Sequence, residues 1–218
     1  MGLTAIHTRT HDLVLFAAEP YGAELPVWVD QVDLHAWGVV RRQDARTDST
    51  SLGLRGRQRD ERKAIAVDTR DIVRHLTPES LVSRTLDDTV HPGMAQTVAA
   101  VAEHSAEWFE GRQWGPTGSV GFQLATGLAV VRDSSDLDII LRAPAFLSPS
   151  TAAAIQEHLE ALPCRVDCLL ESDAGAVALA EWAASTAGTE VLLRTADGPL
   201  LVTNPWETAG MQRAAAHV

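Results

Sequence analysis

The stretch of sequence that decides the fold is Trp114-Gly115-Pro116-Thr117-Gly118-Ser119-Val120-Gly121-Phe122, followed by Ser134-Ser135-Asp136-Leu137-Asp138-Ile139-Ile140-Leu141. Asp136–Arg142 has the long apolar core of a strand, and because side chains alternate along a strand, Asp136 and Asp138 lie on one face. Two residues of strand separate their backbones by about 6.6 Å, where two carboxylates repel by about 2.5 kcal/mol at an effective dielectric of about 20. A bound Mg²⁺, which takes one or two carboxylates together with substrate phosphates, would remove that repulsion.

Two further features favour a phosphate and metal site around this pair. Gly118 and Ser119 precede it among further glycines, so backbone amides and the serine hydroxyl can approach a phosphate closely. Asp167 lies in a second strand signal, Arg165–Leu170, where a buried carboxylate is unfavourable unless it is paired or bound to metal. If the two strands are neighbours, three carboxylates converge as in one- or two-metal sites. The simpler alternative is a strand end with solvated aspartates.

Composition limits the classes of function. No stretch approaches the roughly 20 apolar residues that span a bilayer, and the N-terminus lacks a signal-peptide pattern, so we expect a cytoplasmic protein. The net charge of −11 argues against general nucleic-acid binding, which needs a basic surface. Cys164 and Cys168 lie four residues apart in an expected strand, about 13 Å, which is too far for a disulfide. We therefore expect two free thiols.

The charge is unevenly distributed along the chain. Residues 1–90 hold 12 basic and 14 acidic residues, whereas residues 91–218 hold 6 basic and 15 acidic residues. Within the first part, residues 41–74 contain ten basic residues against six acidic ones. Arginine suits bidentate phosphate contacts, although a GC-rich genome would produce the same arginine bias.

Polar and turn residues at Asp87–Gly93 predict a boundary between two domains. We predict an α+β protein, with a small β-rich domain at residues 1–90 and an α/β catalytic domain at residues 91–218. The strands predicted in the first part are Trp28–Val32, Trp37–Arg42 and Ala64–Thr69, with a glycine-punctuated basic segment at Gly53–Arg59.

Helix and strand signals alternate in the second part. Helices are predicted over Met94–Trp108, after a cap at Ser148 or Ser150, and over Gly175–Ala187. Strands are predicted at Asp136–Arg142 and Arg165–Leu170, with a hairpin of Val191–Thr195 and Leu200–Thr203.

The motifs resemble a known fold and, more narrowly, a known family. Gly118-Ser119, the pair Asp136 and Asp138, and the later Asp167 resemble the nucleotidyltransferase fold of the polymerase-β type. The longer string from Trp114 resembles the malonate decarboxylase holo-acyl-carrier-protein synthases, also called phosphoribosyl-dephospho-CoA transferases. Other stretches share this likeness along almost the whole chain: Arg9–Leu13, Gly53–Gly56 with Arg59 and Arg62, Leu192–Thr195 and Asn204–Trp206.

This resemblance implies a defined reaction. The phosphoribosyl-dephospho-CoA group would pass from 2′-(5″-triphosphoribosyl)-3′-dephospho-CoA to a serine of the apo acyl-carrier subunit of malonate decarboxylase, with release of pyrophosphate. The partners implied are the carrier and this precursor, with no nucleic acid or membrane. Two alternatives remain: a nucleotidyltransferase of the same fold with another small molecule or protein as substrate, and a non-catalytic module that binds the carrier.

The resemblance also implies roles for individual residues. Asp136, Asp138 and Asp167 would be catalytic and would hold Mg²⁺ or Mn²⁺, with Asp167 as the third ligand or as the base for the serine. The substrate phosphates would be bound by Gly118, Ser119 and arginines among Arg55, Arg57, Arg59 and Arg62.

Overall fold

A computed structural model describes residues 7–32, 34–42, 49–58, 60–87 and 91–207. Its first six strands, β1 to β6, are Leu13–Ala17, Gln31–Val32, His35–Val40, Ser49–Arg55, Arg62–Asp68 and Ile72–Leu76. They form an antiparallel sheet in the order β5-β4-β3-β1-β6, and the two-residue β2 pairs with β3. Short 3-10 helices cover Glu19–Tyr21, Thr69–Asp71 and Pro78–Leu81.

The second part is a mixed sheet with helices. Strands β7 to β12 are Trp114–Pro116, Leu137–Arg142, Val166–Ser172, Gly175–Ala178, Val191–Thr195 and Gly198–Val202. Helices α1 to α4 are Pro92–Trp108, Gly118–Thr126, Pro149–Glu160 and Leu179–Ala183. The strands follow the order β12-β11-β10-β9-β8-β7, in which β8 and β9 run parallel and the other neighbours run antiparallel.

Strand β8 has apolar, buried residues on both faces. Leu137, Ile139 and Leu141 are at most 1% exposed and belong to the same apolar core as helix residues Val101 and Ile155. The other face carries Asp138, Ile140 and Arg142; Ile140 is also fully buried, and Arg142 pairs with Glu79 of the first part.

Polar and apolar contacts join the two parts. Arg42 donates two hydrogen bonds of 2.7 Å to the two carboxylate oxygens of Glu171, and Arg142 donates one of 2.7 Å to Glu79. Arg142 and Glu171 lie opposite each other in β8 and β9. Beside them, an apolar cluster joins residues of both parts: Leu13, Leu81, Phe122, Ala125 and Val130.

Much of the predicted architecture is confirmed. The α+β class holds, α1 spans the predicted segment, and the Ser148 hydroxyl caps α3 by accepting a 3.1 Å hydrogen bond from the backbone N–H of Thr151. Cys164 and Cys168 are free thiols. No helix in the described part of the chain is long and apolar enough to cross a membrane. The boundary at residue 90 remains a prediction.

Two predicted elements are wrong. The segment Gly175–Ala187 begins as strand β10, because pairing with β9 and β11 satisfies its backbone groups, and only Leu179–Ala183 is helical. Of the predicted strand Trp28–Val32, only the last two residues are extended. The first three residues of the glycine-punctuated basic segment, Gly53 to Arg55, complete β4.

Gly115 provides a test of how the two parts meet. A Cβ atom at Gly115 would overlap the backbone of Pro78, whereas one at Gly93 would lie 3.4 Å from the Cys164 Sγ atom. We expect Gly115→Ala to lower the free energy of unfolding by roughly 3 kcal/mol, because backbone atoms cannot move aside cheaply. Gly93→Ala should change it by less than about 1 kcal/mol. Urea unfolding of both variants measures the difference, and equal midpoints would contradict the proposed contact.

Candidate active site

The parallel register of β8 and β9 assembles the candidate site. It places Asp138 directly opposite Asp167, so their backbones are separated by about one strand spacing of 4.8 Å. Asp136 immediately precedes β8. The Asp136 and Asp167 side chains are 41% and 46% exposed, so both open to solvent. The structure thus brings together the three predicted carboxylates, although Asp167 is not buried as its strand pattern had indicated.

Gly118 begins α2 directly against Asp138. Its φ of +57° lies in the left-handed region, and a Cβ atom at this position would overlap the Asp138 carboxylate. The preceding Thr117 donates its backbone N–H to the Asp138 carbonyl over 2.8 Å. The N-terminus of α2, where backbone N–H groups are unpaired, is therefore held beside the carboxylates. Such an end favours anions such as phosphate.

The carboxylates interact strongly with one another. Burial is the largest cause that raises the pKa of Asp138, and the charges of Asp167 and Asp136 raise it further. Arg55 and Arg62 act in the opposite direction. Like charges at this separation make the ionised form of Asp138 unfavourable until a cation compensates them.

Two arginines from the N-terminal sheet approach these carboxylates. Arg55 and Arg62 lie opposite each other in β4 and β5, and the charges of both act on Asp138. Burial and the neighbouring Arg62 charge lower the pKa of Arg55, and Asp138 opposes that effect. Two of the four predicted phosphate-binding arginines are therefore at the site.

The structure gives less support to Arg57 and Ser119 as phosphate-binding residues. Arg57 is 69% exposed and forms an ion pair with Asp30 over 3.4 Å, and it does not line the cleft described below. Ser119 is only 6% exposed within the first turn of α2. Arg59 lies outside the described residues.

Arg165 is a site residue that the sequence-based assignment of roles missed. Its guanidinium donates hydrogen bonds of 3.1 and 2.8 Å to one Asp167 oxygen and lies 3.9 Å from an Asp136 oxygen. The side chain is 72% exposed and bridges the two carboxylates from the solvent side. An arginine two residues before a strand aspartate on the same face was the available signal.

The donor set fits a divalent cation, which prefers carboxylate oxygens and substrate phosphates. Within the described residues, however, no group of three His, Cys, Asp or Glu side chains is close enough to hold a metal ion. The positive charge of Arg165 contacts Asp136 and Asp167 in the place where a cation would bind them. With Arg165 turned away, Asp138 and its two neighbours are the residues that could hold such an ion.

A large cleft extends from the carboxylates between the two sheets. Its volume is about 1390 Å³. Thr117, Gly118, Asp138 and Asp167 line one end of it. The cleft is also lined by residues from both parts that the sequence-based site omitted, among them His11, Arg41, Gly53, Ala64, Leu169, Ala178 and Arg194. These residues lie far apart in sequence, so only the sheet pairing brings them together.

Comparison with known proteins identifies related sequences along the chain. The model of the phosphoribosyl-dephospho-CoA transferase MdcG N-terminal domain matches residues 9–78, and that of the C-terminal domain matches residues 81–205.

Phosphoribosyl-dephospho-CoA transferases of three organisms illustrate the similarity. The protein from Pseudomonas putida is 38% identical over 94% of this chain and 98% of its own length. The protein from Azotobacter vinelandii is 38% identical over 93% of this chain and 96% of its own length. The protein from Pseudomonas syringae pv. tomato is 43% identical over 78% of this chain and 79% of its own length. No solved structure matches the chain.

The raised pKa of Asp138 predicts how stability depends on pH. Because the folded-state pKa lies above the ordinary value of 3.8, ionisation of Asp138 destabilises the fold as pH rises through the folded-state pKa. We expect Asp138→Asn to be more stable than the wild type at neutral pH, and this advantage to disappear below pH 3.8. Urea unfolding across pH measures it, with Asp60→Asn at an exposed position as the control. An advantage independent of pH would contradict the interpretation.

Proposed function

Because the chain belongs to the phosphoribosyl-dephospho-CoA transferase MdcG family, we propose that its cleft binds triphosphoribosyl-dephospho-CoA and the apo acyl-carrier subunit of malonate decarboxylase. The chain is a phosphoribosyl-dephospho-CoA transferase, which installs this prosthetic group on the carrier subunit. The observation that carries the proposal is the match of both family domains over residues 9–78 and 81–205. A cytoplasmic location and a domain boundary near residue 90 remain predictions.

The catalytic part is proposed to be a nucleotidyltransferase domain of the polymerase-β type. Three features support this assignment: the carboxylate pair Asp136 and Asp138 at the start of β8, Asp167 in the parallel neighbour β9, and the N-terminus of α2 at Gly118. Together they place an anion-binding helix end beside a set of metal-binding oxygens.

We propose that the carrier serine oxygen forms a bond to the α-phosphorus of the precursor while the bond from that phosphorus to the pyrophosphate oxygen breaks. The pyrophosphate leaves with the electron pair, and the exposed carboxylate of Asp167 accepts the serine proton. Mg²⁺ or Mn²⁺ on Asp136, Asp138 and Asp167 would polarise the α-phosphate and stabilise the leaving group. Arg55 and Arg62 face this position and offset the negative charge of the phosphates.

The N-terminus of α2 completes the proposed site. Gly118 lets the backbone approach Asp138 without a side chain between them, so its amide can reach a phosphate that the carboxylates share with a metal. Ser119 is assigned only a supporting place in the first turn, since it is buried.

Substitution of the carboxylates tests the proposed transfer reaction. We expect Asp136→Asn and Asp138→Asn to reduce transfer of the prosthetic group by at least about a thousandfold, because each removes charge from the phosphoryl-transfer site. The measurement is the mass gain of the apo carrier on incubation with the triphosphate precursor and Mg²⁺. Unchanged rates in both variants would refute the assignment.

Two glycines at opposite ends of α2 provide a matched pair. Gly118 and Gly127 both have positive φ, of 57° and 77°, but a Cβ atom meets Asp138 at Gly118 and no atom within 4 Å at Gly127. We expect Gly118→Ala to abolish carrier modification and Gly127→Ala to retain it, with a stability loss of about 1 kcal/mol from backbone strain. Similar activity in the two variants would show that contact with Asp138 is unimportant.

Arg165 offers a readout that does not depend on activity. The guanidinium competes with a divalent cation for Asp136 and Asp167. We expect Arg165→Gln to bind Mn²⁺ roughly two- to fivefold more tightly, as suits the loss of an exposed ion pair. Electron paramagnetic resonance titration measures free Mn²⁺, and Arg112→Gln, which breaks an ion pair with Glu110, is the control. Weaker or equal Mn²⁺ binding by Arg165→Gln would contradict the competition.

A further inference from the structure

Beyond the carboxylates, the cleft is bounded on the N-terminal side by a row of small apolar residues. Val39, Gly53 and Ala64 lie side by side across β3, β4 and β5, and all three line the cleft. This N-terminal row lies two residues from Arg55 and Arg62, about 6.6 Å along the strands.

Gly53 has no structural reason to be glycine. Its φ is not positive, and a Cβ atom there would meet its nearest neighbours, Arg41 side-chain atoms, at an ordinary 3.7 Å. A glycine inside a strand weakens the strand, and one cause of its presence is close approach of a ligand to the backbone.

The C-terminal sheet provides a second row that faces the first. Leu169 and Ala178 lie opposite each other in β9 and β10, both line the cleft, and both are half-buried. This C-terminal row lies two residues from Asp167, again about 6.6 Å. The two rows are therefore offset from the charged residues by the same distance.

Charged residues flank both ends of these rows. At one end Arg55 and Arg62 face Asp138, and at the other end Arg42 binds Glu171 through two hydrogen bonds of 2.7 Å. Glu171 lies two positions after Leu169 on β9. The space between the rows, which Arg41 also lines beside Gly53, is thus a slot that begins beside the carboxylates.

Arg194 lies at the side of this slot. It is opposite Ala176 on β10, and its exposed side chain lines the same cleft. Among the described arginines after residue 91, the side chains of Arg112, Arg132, Arg142 and Arg165 all bind protein groups, whereas the Arg194 side chain makes no hydrogen bond or ion pair with the described residues. A free cation in this acidic part of the chain is available for an anionic ligand.

We propose that this slot is the subsite for the nucleotide end of the prosthetic group: the adenine ring lies between the N-terminal and C-terminal rows, and Arg194 binds the diphosphate of the dephospho-CoA. The proposal rests on the proposed function, which supplies the ligand class. A flat ring suits a slot with glycine and alanine on its walls, and arginine suits a diphosphate. The reacting triphosphate then remains at the carboxylates.

Binding of dephospho-CoA itself, which lacks the reacting triphosphate, tests the subsite by isothermal titration calorimetry. Ala64→Leu fills the slot from an exposed position, and we expect it to weaken binding by at least about tenfold. Ala66→Leu is the matched control, since Ala66 is exposed two residues further along β5 and does not line the cleft; it should stay within about twofold. Ala178→Leu reaches the slot from the other row and should act like Ala64→Leu.

The charge is tested separately. We expect Arg194→Gln to weaken dephospho-CoA binding by about tenfold and to reduce its dependence on salt, because a charge-assisted contact is lost. Arg112→Gln should have no effect. Adenosine 5′-monophosphate should compete with dephospho-CoA, and Ala64→Leu should weaken its binding. The same substitution should leave the binding of 4′-phosphopantetheine unchanged.

The outcomes separate this subsite from the reaction. If the wild type modifies the carrier but Ala64→Leu, Ala178→Leu and Arg194→Gln bind dephospho-CoA normally, the subsite is wrong and the function stands. If Ala64→Leu weakens the binding of 4′-phosphopantetheine and not that of adenosine 5′-monophosphate, the assignment of the adenine ring is wrong. If dephospho-CoA binds as expected but no carrier is modified, the proposed function fails and the nucleotide subsite remains.

Discussion

Parallel pairing of β8 with β9 places Asp138 directly beside Asp167, with Asp136 just before the strand. Three carboxylates at this spacing repel one another, so the arrangement requires compensating charge from other parts of the molecule. Arg165 supplies positive charge from the solvent side, and Arg55 and Arg62 supply it from the N-terminal sheet. The N-terminus of α2 at Gly118 lies against Asp138. The N-terminal sheet therefore contributes positive charge to the site.

This arrangement explains the uneven charge of the chain. The C-terminal part is strongly acidic, and the N-terminal part supplies arginines that the cleft needs. Ion pairs between Arg42 and Glu171 and between Arg142 and Glu79 connect the two parts beside the cleft. Substrate phosphates would thus enter a space where the cations come mainly from one domain and the metal-binding oxygens from the other.

The sequence predicts the local features of this structure well. The alternation around Asp136 and Asp138, the cap at Ser148 and the hairpin near Asp197 each depend on a few adjacent residues. The helix predicted for Gly175–Ala187 was wrong because its apolar residues fit either a strand or a helix, and the neighbours β9 and β11 decided the outcome.

The site itself was only partly predictable, for a similar reason. Three carboxylates and Gly118 are recognisable from motif spacing, whereas the choice of Arg55 and Arg62 over Arg57 depends on how β4 and β5 pair and which side faces the cleft. Arg165 and Arg194 lie in stretches that share the family likeness, but the sequence assigned neither of them a role. Their importance follows from what lies next to them in space.

The contact between Gly118 and Asp138 also has an evolutionary consequence. A side chain at position 118 would occupy the volume of the Asp138 carboxylate, so the two positions cannot change independently. A relative that has acquired any larger residue at the first must have lost or displaced the carboxylate at the second. Reading these two positions together therefore distinguishes descendants that retain the chemistry from those that keep only the architecture.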